Sequence, residues 1–124
     1  MKRILITKTF ERWLRKSDIT EEALCNAVHE MEAGLIDADL GGGVFKKRVA
    51  LAGRGKRSGA RTLVASNLGN RWIFLFGFAK SERANVSDQE LKVLQIIGQT
   101  FLNLSSDEIC TALREGQVKE IHHD

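Results

Sequence analysis

The sequence predicts an α+β fold: a helical hairpin packed on a twisted, mainly antiparallel four-stranded sheet, with additional helices towards the C-terminus. Three observations predict it. Apolar residues recur at helical spacing between Lys8 and Met31. Three short apolar runs follow, at 44–52, 60–67 and 72–79, separated by turn-rich sequence. Two capping boxes, Ser87 with Glu90 and Ser105 with Glu108, then open further helical patterns.

The elements follow in order. RILITK at 3–8 reads as a short strand, and KTFERWLRK at 8–16 as a helix with Phe10, Trp13 and Leu14 on one side. Asp18 or Thr20 caps a second helix, whose stripe Leu24, Ala27, Val28 and Met31 has i, i+3, i+4, i+7 spacing. Gly41-Gly42-Gly43 breaks that pattern. Asn67-Leu68-Gly69-Asn70 makes a tight hairpin between the second and third apolar runs, and the longer loop 53–59 joins the first two. The third helix buries Leu91, Leu94, Ile97, Phe101 and Leu104, and the fourth stops at Gly116, with a polar tail beyond it. At 124 residues the chain is read as one domain, 1–124, with helices on one face of the sheet and the other face open.

Charge is the informative part of the composition. From Leu40 to Ser81 there are nine basic residues and no acidic one: Lys46, Lys47, Arg48, Arg54, Lys56, Arg57, Arg61, Arg71 and Lys80. The other 82 positions hold ten basic and all 16 acidic residues, so the middle is +9 and the rest −6. Such segregation suits a surface that holds a polyanion. The start, MKRILITKTF, lacks the apolar core of a signal peptide and no run is long enough to span a bilayer, so a cytoplasmic protein without a membrane partner is expected. Cys25 and Cys110 stand singly, without a CxxC or a histidine pair; each is read as a buried reduced thiol, with no metal and no cofactor expected.

Strand alternation sorts the basic residues. If Val49 and Leu51 face the core, Phe45 and Lys47 share that face while Lys46 and Arg48 point away. Lys47 then snorkels at the sheet edge. Arg61 shares a face with Leu63 and Ala65, and Lys80 emerges at the end of an apolar, hence central, strand. Lys46, Arg48, Arg61, Lys80 and Arg83 converge on one patch if these strands are neighbours. The loop residues Arg54, Lys56 and Arg57 reach over its rim, and Lys47 and Arg71 add little beyond solubility and field. The loop GRGKRSG lacks the spacing of a nucleotide-triphosphate cradle and precedes a strand, so it suits a nucleic-acid backbone better. Phe78 and Trp72 are read as core before they are read as base-stacking residues. His29 lies on the polar face of its helix, and His122 and His123 in the tail.

FKKRVALAGRGKRSGARTLVAS, a hairpin, and FLFGFAKSERANVSDQEL together resemble the RelE/ParE superfamily of type II toxin–antitoxin toxins, and most the HigB-like branch. The resemblance covers about 44–95 well. It implies a RelE-like fold and a ribosome-dependent, metal-independent endoribonuclease that cuts mRNA, an mRNA interferase. It also implies a cognate antitoxin, a DNA-binding helix-turn-helix protein, with promoter DNA bound only through the complex. By the resemblance Lys46, Arg48, Arg61 and Lys80 are catalytic, and Arg54, Lys56, Arg57 and Arg83 bind RNA. The chain departs from relatives that carry an arginine after the strand-end lysine and a tyrosine further on: it has Ser81 and Ser87, and no tyrosine.

RNA cleavage of this kind needs a base for the 2′-hydroxyl, charge stabilisation at the phosphorane and help for the leaving 5′-oxygen. Lysine is a base only when its pKa is depressed, which neighbouring cations favour, whereas arginine's fork suits the phosphate. Lys46 or Lys80 is therefore expected to shuttle protons and Arg61 to clamp the phosphate. Two alternatives are a non-catalytic RNA- or ribosome-binding module of the same fold and a gyrase-inhibiting toxin. The basic cluster speaks against the latter.

Overall fold

The structure is a computed structural model that describes residues 2–51 and 59–122. Its elements are β1 (Arg3–Thr7), α1 (Lys8–Lys16), α2 (Glu21–Glu32), β2 (Ala38–Asp39), β3 (Val44–Val49), β4 (Ala60–Ser66), β5 (Arg71–Ala79), α3 (Asp88–Leu102), α4 (Ser106–Arg114) and β6 (Val118–Ile121). Helix starts are set locally. Thr7 Oγ1 accepts from Phe10 N–H at 3.2 Å and Thr20 Oγ1 from Ala23 N–H at 3.1 Å, while both expected capping boxes close at Ser87 and Ser105. Among the described residues no helix is long and apolar enough to cross a membrane.

The α+β class is as expected, but the sheet has six strands rather than four, in the order β2-β3-β4-β5-β1-β6. All neighbours are antiparallel except β1 and β5. The two extra strands are the shortest. β2 is a two-residue pairing of Ala38 and Asp39 with Lys46 and Phe45. β6 lies in the segment read as a polar tail; it pairs with β1, burying Val118 and Ile121, and Glu120 takes Arg3 in a two-point ion pair at 3.0 Å.

The sheet is covered on both faces, which corrects the expectation of a fully open second face. Ile4, Ile6, Val64, Trp72 and Phe74 pack under α1 and α2 against Phe10, Leu24, Val28 and Met31. Leu5, Val44, Leu63, Ala65, Ile73 and Leu75 alternate to the opposite face, under Leu94 of α3 and Ile109 of α4. Fully burying each such aliphatic or aromatic side chain contributes about 1.5–3 kcal/mol, so a second helical layer is favoured wherever both faces are apolar. α3 sits close because Gly98 has no side chain: a Cβ there would lie 2.9 Å from that of Ala65.

β5 carries the irregularity that shapes the rest. Leu63 pairs with Phe76 and Val64 with Phe74, which leaves Leu75 as an extra residue, a β-bulge. Beyond it the alternation is reset. Phe76 and Phe78 join Ile73 and Leu75 in the α3-side core. Gly77 falls beneath Trp13, where a Cβ would come within 2.4 Å of the indole.

Of the two free cysteines, Cys25 is half-buried against the α1–α2 core, but Cys110 is exposed rather than buried.

Candidate nucleic-acid interface

α3 crosses the Val44–Ala65–Leu75 region of its face, and the basic residues occupy the part beyond. On β3, Val44 belongs to the α3-side core while Val49 belongs to the opposite one, so Lys46 and Arg48 take the α3 side by alternation. Arg48 is paired with Arg61, and Arg61 with Phe78; one step along, Lys46 is paired with Leu63, and Leu63 with Phe76. Directly opposed side chains start about 5 Å apart, so Arg48, Arg61 and Phe78 form one row across three strands. Lys46 lies at one flank of the row. Lys80 follows Phe78 by two residues, exposed in the turn after β5.

The nine basic residues of the middle segment divide into three groups. Arg54, Lys56 and Arg57 lie outside the described residues. Lys47, Arg48 and Arg71 are engaged. Lys47 is 3 % exposed, and its Nζ donates to Leu35 O at 2.8 Å and pairs with Glu30 at 2.8 Å. It is a buried tie rather than a snorkelling edge residue. Arg71 Nη1 donates to the carbonyls of Phe101, Leu102 and Leu104 at 2.9, 3.2 and 2.6 Å, so it caps the C-terminus of α3 rather than merely adding field. Arg48 is held by Asp37 through its backbone N–H at 2.7 Å and its Nε at 2.8 Å.

Lys46, Arg61 and Lys80 remain. Among the described residues Lys46 and Lys80 make no side-chain hydrogen bond or ion pair, and Arg61 makes only a long one, 3.4 Å to Gly59 O. The patch is therefore narrower than the sequence suggests. The reason is spatial: the acids absent from 40–81 come in from the segment just before it, at Glu30 and Asp37.

Arg83 stands apart electrostatically. Its guanidinium lies over Phe76 and Phe78, 5.8 and 5.7 Å from the ring centroids, and is gripped by Glu90 at two points, one of them 3.1 Å. The hydrogen bond from Arg83, with the N–H of Ser87 adding to it, pulls the Glu90 carboxyl down to about 2. The Arg83 charge is thus compensated, and its plane presents a fixed surface beside Arg61. Trp72 is fully buried with Nε1 donating to Gly69 O at 3.0 Å, and Phe78 is buried as well, so neither is an open stacking face. Ser87 spends its hydroxyl as the α3 cap, accepting from Glu90 N–H at 3.1 Å. Asp37 was missed by the sequence reading, its only signal being its place at the edge of the basic segment, and Glu90 was read there only as the capping-box partner of Ser87.

Chemically, the row offers the guanidinium groups of Arg48 and Arg61, with the ammonium groups of Lys46 and Lys80 at its flanks, an arrangement that suits phosphodiesters. Among the described residues no three His, Cys, Asp or Glu side chains come together as a metal site requires. The family model described as "RelE toxin of RelE / RelB toxin-antitoxin system" matches residues 2–121. No curated protein matches.

Proposed function

The chain belongs to the RelE toxin family and is the toxin of a toxin–antitoxin system, and from that premise we propose that it is a ribosome-dependent endoribonuclease that cuts mRNA. The match assigns no branch within the family. The observation that carries the reading is the Arg48–Arg61–Phe78 row with Lys46 and Lys80 at its flanks. A cognate antitoxin neutralises the toxin, and the site of action is the cytoplasm, where message and ribosome meet.

In the proposed reaction the 2′-hydroxyl attacks its own phosphate, the P–O5′ bond breaks, and a 2′,3′-cyclic phosphate and a 5′-hydroxyl are left. Lys46 and Lys80 are the candidates for taking the 2′ proton and returning one to the 5′-oxygen. Arg61 stabilises the charge that develops on the phosphorane, a task for which a permanently charged planar fork is suited. Arg48 holds a neighbouring phosphate.

The test is cleavage of a ribosome-bound message by Arg61→Ala and Lys80→Ala. Loss of a charge-stabilising donor is expected to lower the rate by roughly 10²–10³, and loss of a proton-transferring lysine by about 10²–10⁴. Near wild-type rates for both overturn the assignment. One observation favours a second reading, a toxin that binds RNA or ribosome without cutting: Ser87 is committed to its cap and no histidine lies in the patch. Growth arrest without new 5′ ends in primer extension would establish that reading instead.

A further inference from the structure

The last turn of α2 and the segment that follows it grip three successive residues of β3. Asp37 N–H donates to Lys46 O at 3.0 Å, Leu35 O and Glu30 receive Lys47 Nζ, and Asp37 receives Arg48 twice. The last contact is unusual in its economy. One carboxylate oxygen of Asp37 takes the backbone N–H of Arg48 at 2.7 Å, and the other takes Nε of the same residue at 2.8 Å. The backbone bond fixes the plane of the carboxylate, and the carboxylate then fixes the guanidinium. Nη1 and Nη2 of Arg48 make no bond to a described residue. They form a fork on the side chain directly opposite Arg61.

We propose that Asp37 is a positioning residue of the RNA-cleaving site: it locks Arg48 by Nε so that its two Nη groups stand beside Arg61 as a preset clamp for an adjoining phosphate. The inference rests on the proposed endoribonuclease reading and adds to it a residue from outside the basic segment. An isolated exposed ion pair holds its partners weakly. Here the side chain of Asp37 is only 20 % exposed and is oriented by the strand it serves. Burial alone would raise the Asp37 carboxyl, yet the N–H and guanidinium of Arg48 outweigh it and hold the carboxyl below its ordinary value. Asparagine cannot replace it, because both oxygens accept and an amide would turn an N–H towards a donor. Lysine cannot replace Arg48, because it has neither the Nε donor nor the fork.

The experiment is a double-mutant cycle on Asp37→Asn, Arg48→Ala and the pair, with Arg48→Lys alongside. Two readouts are taken: single-turnover cleavage of a ribosome-bound message, and binding of a fluorescent single-stranded RNA dodecamer followed by anisotropy. Asp37→Asn is expected to lower cleavage by about 10- to 100-fold, the scale of a displaced catalytic group, mostly in the rate at saturation. In the Arg48→Ala background it should cost nothing further, and Arg48→Lys should match Arg48→Ala. Equal losses in both backgrounds, or no loss in the wild-type background, overturn the proposal. If Asp37→Asn does not fold, Arg48→Lys decides, since wild-type activity there is incompatible with a preset fork. If the wild-type protein does not cleave, the endoribonuclease reading fails by itself. The binding cycle then decides for Asp37: coupling between the two substitutions supports it and additivity overturns it.

Discussion

Lys47 offers the sharpest test of how the site-bearing strand is held. It sits between two candidate site residues, Lys46 and Arg48, yet points to the opposite face with its ammonium buried at Glu30 and Leu35 O. Lys47→Ala removes three buried methylenes beyond Cβ, about 0.8 kcal/mol each, or roughly 2.4 kcal/mol. It also removes a charged hydrogen bond worth about 1.5–3 kcal/mol. Glu30 keeps 30 % of its side chain exposed and can be resolvated, so the larger penalty of a stranded buried charge does not apply. The total is about 4–5 kcal/mol. Lys47→Met retains the stem and should lose about 2 kcal/mol. In urea, with a slope near ~2 kcal/mol/M, the midpoint should fall by about 2 M for alanine and about 1 M for methionine. Equal midpoints for Lys47→Ala and wild type would refute the reasoning and return Lys47 to the status of a surface charge.

Two further outcomes are expected. Glu90 should titrate with a midpoint of about 2 by carboxyl NMR and move towards the ordinary glutamate value, about 4.3, in Arg83→Ala. Because its folded pKa is the lower one, its contribution to stability is full above about pH 4.5 and is lost as pH falls towards 2; the loss should be absent in the Arg83→Ala, Glu90→Gln pair. Gly77→Ala should displace Trp13, whose ring a new Cβ would approach to 2.4 Å, costing about 1–3 kcal/mol and red-shifting the tryptophan emission. A wild-type melting curve would contradict the packing described.

The helices were legible because their signals are local. Thr20, Ser87 and Ser105 are caps that a reader of four residues can see, and the stripe Leu24, Ala27, Val28 and Met31 is buried as its spacing implies. The three central strands and the hairpin at 67–70 were legible for the same reason. β2 and β6 were not, since two and four residues form a strand only through the partner they meet. The second helical layer was missed although its trace was present: WIFLFGFA is apolar on both faces because helices cover both faces. At the site, alternation placed Lys46, Arg48 and Arg61 on one side. What it hid was neutralisation, because Glu30 reaches Lys47 from α2, Asp37 reaches Arg48 from just before β2, and the partners of Arg71 come through the packing of α3.

The extra residue in β5 separates two jobs along one strand. Upstream of Leu75 the strand runs beside β1, whose pairing ends at Phe74; downstream, among the described residues, β4 is the one strand it pairs with. The upstream half can be tuned for packing without turning the downstream half over, as though the strand were written in two reading frames. If the same residues ran as a regular strand without the bulge, alternation from Ile73 and Leu75 would send Phe76 and Phe78 under α1, turn Gly77 towards the basic row and take the rings from beneath Arg83. The row of cations would still be in the sequence, but the floor that it stands on would be gone.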